Sequence, residues 1–281
     1  MVEVYPFTKI AWRSSEIEKQ WEPMRQRIYN AVHYAEYQSV KQGYRACDVY
    51  DLHPGNFDNE IKRVVKDRLW YFPILRSRTY GGYGHRHYDT DTIDENTFIY
   101  GVVAKNWDDG AYFHDAEIID RSKQIVHNLP ERSHDVLGQL LGYPKCCRDF
   151  FTSVWLKDGC LDPMFEMALA TSETVEKKER GHVKVSGDSR LNRLIRYWGF
   201  NIIPFFPHNF ACEDALEFSE WWMKLMREKD AEATDACLEI LSTPMRWSMM
   251  NCVTFVEHPL FIGSANGYYV PEKRIVDWFP L

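Results

Sequence analysis

Two prolines each introduce a helix that starts with sulfur, and a fold that uses both sets together must join distant parts of the chain. The first run is Gly142-Tyr143-Pro144-Lys145-Cys146-Cys147-Arg148, followed by Asp149, Phe150 and Phe151. The second is Pro207-His208-Asn209-Phe210-Ala211-Cys212, followed by the acidic pair Glu213 and Asp214. With Pro144 at or next to the first helical position, Cys146 and Cys147 fall at N2 and N3. Cys212 falls just before the acidic first turn of another helix, with His208 four residues earlier. The first turn of a helix presents unpaired amides and the positive end of its dipole, which favours thiolate over thiol.

Three thiols and one imidazole make the ligand count of a four-coordinate metal or an iron–sulfur site. Zinc, iron and an iron–sulfur cluster all suit the donor set Cys146, Cys147, His208 and Cys212. Adjacent cysteines leave a helix about 100° apart. They reach one ion only with some backbone accommodation, whereas a multi-iron cluster touches both readily. Cys160 is a substitute ligand. Taken singly, each cysteine is more often a buried core residue than a ligand; it is the pairing of two Pro-led sites that favours ligation. A different chemistry makes Cys147 a nucleophile with His208 as its base, oriented by Asp149 or Glu213. It leaves the second adjacent cysteine unexplained.

On these residues the chain resembles an uncharacterised, mainly archaeal family defined by a Gly-Tyr-Pro-x-Cys-Cys motif. Gly142, Tyr143, Pro144, Cys146, Cys147, Phe150 and Phe151 match that motif, over a region of roughly residues 97–220. Members also carry a later Pro-Cys-x-x-x-Cys run, which would fall on Pro207 to Cys212, with His208 standing where the family has cysteine. Cysteine and histidine replace each other as metal ligands, so this departure favours ligation. The resemblance implies the site and names no reaction, substrate or fold.

The net charge of -7 excludes a diffuse basic field for duplex DNA, while leaving room for a local basic groove. No apolar run approaches the ~20 residues that cross a bilayer. The N-terminus, Met1 to Thr8, lacks the pattern of a signal peptide. These features predict a cytoplasmic protein without a membrane partner. Seven scattered cysteines argue against a disulfide framework, and Cys47, Cys237 and Cys252 read as small buried residues.

Hydrophobic periodicity organises the rest. Ser15 and Glu18 have capping-box spacing, and Ile17, Trp21, Met24, Ile28, Ala31 and Ala35 recur at helical intervals up to a stop at Gly43, with Pro23 either a kink or the true start. A helix over residues 59–67 leads into a strand over 69–76, and residues 97–104 read as a buried strand. Val136, Leu137, Leu140 and Leu141 form a helical face ending at Gly142. Asp162 and Pro163 start a helix through about Glu173. The charged stretch 174–188 reads as a mobile loop, Ser189–Trp198 as helix, Asn201–Phe206 as a short strand or extended entry, and Glu213 to about Leu241 as one long helix. Residues 249–269 alternate, breaking at His258-Pro259 and at Asn266-Gly267, the latter a hairpin signal. The class predicted is α+β: helix-rich, with a small mixed or antiparallel sheet and a C-terminal hairpin. Residues 1–130 form an N-terminal α/β region and 131–281 a helical metal-site region, either separate or as one continuous domain.

The loop from Arg76 to Asp91 combines three glycines with arginines and tyrosines. Arg76, Arg78 and Arg86 suit phosphate or carboxylate. Tyr80, Tyr83 and Tyr88 suit stacking on a base. His85 and His87, with Asp89 or Asp91, offer a second metal site, though a solvated hairpin tip is the commoner outcome. Arg246, Trp247 and Asn251 suit a pocket less well than packing. His53, His114 with Asp115, His134 with Asp135, and Glu257 with His258 read as turn, capping or surface groups. The functional expectation is a metal-dependent enzyme acting on a planar anionic small molecule, nucleotide or nucleobase. The alternatives are the Cys147 and His208 nucleophile enzyme, and a non-catalytic nucleic-acid or partner-binding protein with structural zinc.

Overall fold

A computed structural model describes residues 8–52, 54–78, 97–122, 131–157, 162–171, 176–179, 181–251, 253–266 and 272–281. The class is α+β. The order is β1 (Thr8–Trp12), α1 (Ser15–Lys41), β2 (Cys47–Val49), α2 (Phe57–Lys66), β3 (Trp70–Arg78), β4 (Thr97–Ala104), α3 (Trp107–Ser122), α4 (Glu131–Leu140) and α5 (Lys145–Phe150). Then follow α6 (Met164–Ala170), β5 (Glu176–Glu179), β6 (His182–Gly187), α7 (Glu213–Leu241), β7 (Met245–Met250), β8 (Val253–Glu257), β9 (Phe261–Asn266) and β10 (Arg274–Pro280). The described chain divides into two compact units, residues 8–33 with 153–281, and residues 34–78 with 97–152.

The second unit is built on an antiparallel three-stranded sheet in the order β2-β4-β3. Alternation along β4 divides its core. Val102 and Ala104 join Phe72, Phe113, Ala116 and Leu137 on one side. Val103 joins Tyr37, Val40, Leu52, Val64 and Leu69 on the other. Period-two side chains of a strand covered on both faces produce this split. Residue 43, where α1 was expected to stop, is a glycine at φ +83 just beyond Lys41. Pro23 lies inside α1, with helix on both sides of it.

The other unit holds a seven-stranded mixed sheet in the order β1-β9-β8-β7-β10-β6-β5. Every pairing is antiparallel except β10 with β6. Trp247, Val256, Phe261, Ala265, Val276 and Trp278 are wholly buried along alternate positions of its strands. Burying one indole removes on the order of 200 Å² from water, worth about 5 kcal/mol.

Several local expectations give way here. The stretch expected as a mobile loop contains β5 and β6, with Val183 and Val185 buried and His182, Lys184 and Ser186 partly exposed. In β6 the charged Lys184 belongs to the partly exposed half of the strand. Ser189–Trp198 is two single 3-10 turns, Ser189–Leu191 and Arg196–Trp198. The side chain of Asp188 accepts from Arg190 N–H, and that of Asn192 accepts from Leu194 N–H while donating to Leu241 O. Such side-chain bonds compete with helix. Asn201–Phe206 forms bends rather than a strand, with Ile202, Ile203 and Phe205 buried. The helix expected to run to Glu173 ends at Ala170, with Thr171 extended at its C-cap.

Helix α7 is interrupted at Asp230, whose backbone is extended (φ -159, ψ 96). Its Oδ1 accepts from Ala233 N–H, as an N-cap restarting the helix, and Arg27 holds the same carboxylate through two bonds of 2.7 Å. The C-terminal hairpin is β8–β9, turning at His258-Pro259-Leu260. Gly267 of the expected Asn266-Gly267 turn lies outside the described residues, and the next described strand, β10, pairs with β7 and β6.

Candidate metal centre

The cysteine pair is placed by a turn whose carbonyls are nearly all engaged. Helix α4 closes with Tyr143 N–H on Gly138 O and Gly142 N–H on Gln139 O, both at 2.9 Å. This is a Schellman cap, and it requires the left-handed φ of +71 found at Gly142. A Cβ there would stand 3.1 Å from Arg45 Cγ. Ala46 N–H takes Leu140 O, and Arg45 Nε–H takes Leu141 O at 2.7 Å. Pro144 is the N-cap of α5, and its carbonyl accepts from Cys147 N–H and Arg148 N–H. Cys146 and Cys147 therefore occupy N2 and N3. The helix continues beyond Phe150 as a π-helical stretch, Phe151–Lys157.

The guanidinium of Arg148 reaches back, donating from an Nη to Tyr143 O at 2.7 Å and from Nε to Asp135 at 2.8 Å. A Cβ on Gly138 would lie 2.7 Å from Arg148 Cδ, so the glycine leaves room for this return. Asp149, one of two carboxylates expected to orient an imidazole, is instead held by Lys145 at 2.6 Å.

A hydrophobic plug places the second pair. Phe210 is fully buried against Trp278, its N–H donates to Thr171 Oγ1, and its carbonyl accepts from Asp188 N–H. Asn209 Oδ1 accepts from Ala211 N–H, tightening the turn. With Phe210 driven inward, His208 and Cys212 flank it. Cys212 is the N-cap of α7: its Sγ accepts from Ala215 N–H at 3.4 Å and its carbonyl from Leu216 N–H. A sulfur at an N-cap sits against the positive end of a long helix. The segment between His208 and Cys212 is not helical, so the turn, and not a shared helix face, sets their spacing.

Cys146 and Cys147 belong to one compact unit, and His208 and Cys212 to the other. The Sγ atoms of Cys146 and Cys147 are 3.8 Å apart. Cys147 and Cys212 are buried, and Cys146 and His208 half-buried. No disulfide joins any of the described cysteines. Cys47 and Cys237 stand apart from this set. Burial pushes both thiols up to about 12, and Cys237 donates to Asn201 O.

Arg76 and Arg78 lie at the end of β3, but their side chains are outside the described residues. So are Tyr80, Tyr83, His85, Arg86, His87, Tyr88, Asp89, Asp91, His53, Cys160 and Cys252. Trp247 is core, and Asn251 occupies the tight β7–β8 turn at φ +52. His114 pairs with Asp115 at 3.0 Å. A cavity of about 730 Å³ is lined by Asn56, Phe57, Lys62, Pro73, Ile74 and Ile99 among others, and includes none of Cys146, Cys147, His208 and Cys212.

Sequence reasoning passed over Arg45, Asp48 and Arg148, which hold the cysteine turn. It also passed over the cluster in which Asp277 accepts from His182 Nε2 and Arg246 Nε, each at 2.7 Å. Only the position of Arg148 directly after the cysteines was a local signal; the others join residues from separate strands and turns. These two partners hold the Asp277 carboxyl below its ordinary range although burial acts the other way.

Comparison with known protein families, with curated proteins and with solved structures finds no match to this chain.

Proposed function

We propose that this is a zinc-binding protein in which Cys146, Cys147, His208 and Cys212 hold one tetrahedral ion that serves the fold. The observation that carries this reading is the pair of sulfurs 3.8 Å apart at N2 and N3 of α5, matched by a second donor pair, His208 and Cys212, at the start of α7. Zinc–sulfur bonds of about 2.3 Å in a tetrahedron place sulfurs about 3.8 Å apart, the separation found between Cys146 and Cys147. A multi-iron cluster spreads its thiolates over several metals, farther apart than the Cys146 and Cys147 sulfurs stand. One ion therefore suits the geometry better than a cluster.

Four protein ligands complete a tetrahedron, and such closed sites are structural; catalytic zinc keeps a position open. Metalloenzyme chemistry on a planar anionic substrate requires one donor to leave, and the half-buried His208 is the neutral one. The nucleophile reading is disfavoured by the burial of Cys147, at 2% exposure.

Metal analysis of freshly purified protein, followed by cobalt exchange, tests this. One zinc per chain, and a cobalt form with the intense visible bands of a tetrahedral thiolate site, are expected. Brown protein with iron and sulfide, or protein with no bound metal, refutes the proposal. A cobalt spectrum that changes when azide or cyanide is added identifies an exchangeable position and shifts the reading to chemistry.

A further inference from the structure

We infer that Arg45 is a positioning residue of this centre, setting its affinity for metal by fixing the turn that carries Cys146 and Cys147. The inference rests on the zinc reading above. Arg45 is far from the cysteines in sequence, and its side chain is fully buried. Its Nε–H holds Leu141 O at 2.7 Å, directly before the left-handed Gly142. Its two terminal nitrogens grip Asp48 at 2.9 and 2.7 Å, and Asp48 Oδ1 also accepts from Val49 N–H. The guanidinium carbon stands 5.7 Å from the centre of the Tyr143 ring. Its own backbone N–H is tied to Ser39 O at the end of α1. Arg45 thus connects α1 through its backbone, and β2 and both flanks of Gly142 through its side chain.

Burying an ion pair seldom adds stability over apolar side chains of similar volume, because desolvation offsets the attraction. Arg45 does what an apolar residue cannot: its planar fork fixes a carbonyl and a carboxylate in one plane. That carbonyl lies three residues before Pro144, whose own carbonyl starts α5. Rotation of this turn would move both sulfurs together, and metal affinity is sensitive to displacements of about 0.5 Å. Groups that orient ligands typically change affinity about 10–100-fold when removed.

The test uses full-length zinc protein and zinc competition against a chromophoric chelator. The double variant Arg45→Met, Asp48→Leu removes the ion pair as a unit and leaves no buried charge without a partner. Arg45→Lys retains a cation beside Asp48 and loses the fork. Both should bind zinc about 10–100-fold more weakly and shift the cobalt bands, while their metal-free forms melt close to metal-free wild type. Zinc affinity and cobalt bands unchanged in Arg45→Lys overturn the inference, whether or not the double variant folds. Weaker zinc binding matched by an equal loss of metal-free stability also overturns it, as Arg45 would then be merely structural. Wild-type protein that binds no zinc overturns the underlying reading instead, and the two failures are distinguishable.

Discussion

Acid should destabilise this protein through His258, and the effect is large enough to isolate. His258 is 1% exposed in the β8–β9 turn. Nδ1 accepts from Leu260 N–H, which leaves Nε2 carrying the proton donated to Ile240 O at 3.1 Å. The ring stacks on Phe261 at 4.7 Å, and Arg13 donates to the His258 carbonyl. Every contact suits a neutral ring. Burial, with Arg13 adding to it, lowers its pKa from 6.5 to about 4, although Ile240 O pulls the other way. The unfolded chain therefore takes up this proton near pH 6.5 and the folded one only near 4. Stability present above pH 6.5 is lost as pH falls through that window: about 2 kcal/mol at pH 5 and about 3 kcal/mol once both states are protonated.

His258→Gln supplies a neutral amide donor and acceptor at the same position. Urea midpoints of both proteins at pH 7.5, 6, 5 and 4.5 give the comparison, in which all other titrating groups are common to both. The wild-type advantage should shrink by about 2 kcal/mol between pH 7.5 and 5. Parallel curves would mean that His258 is protonated in the fold, and the desolvation argument would fail.

Cys147→Ala should abolish stoichiometric zinc and lower the melting temperature, since a structural ion contributes several kcal/mol of folding energy; unchanged metal content refutes the ligand assignment. Cys237→Ala should keep its metal and cost about 1–2 kcal/mol through a small cavity, so loss of metal from it would remove the contrast between ligand and core cysteines. Iodoacetamide at pH 8, after chelation, should label Cys146 well before Cys47 or Cys237, whose buried thiols remain protonated. Peptide mapping that finds Cys47 equally reactive contradicts its burial. Hydrogen exchange should protect the amides of Val183 and Val185 as strand positions; rapid exchange there would restore the loop expectation for that segment.

Where physical signals are local, they were legible before any coordinates. The Pro144 N-cap, the glycine stop at Gly142, the buried strand Thr97–Ala104 and the start of α7 after Cys212 each depend on neighbours within one turn or one pleat. The same locality explains the misreadings. The run His182-Val-Lys-Val-Ser alternates as a strand should, but its charges suggested solvent until β10 supplied a partner from the end of the chain. Asp230 looked like one more polar residue in a long helix, and only its bonds to Ala233 and Arg27 make it a break.

By itself the sequence determined where the thiol and imidazole side chains cluster and that each pair would stand at a helix start, because capping and turn chemistry act over a few residues. Tertiary structure alone decided that Phe210 is buried between His208 and Cys212, that Arg45 grips Leu141, and that the two cysteine sulfurs stand a tetrahedral edge apart. Those outcomes depend on side chains distant in sequence competing for the same interior volume and the same carbonyl groups. No local pattern encodes that competition.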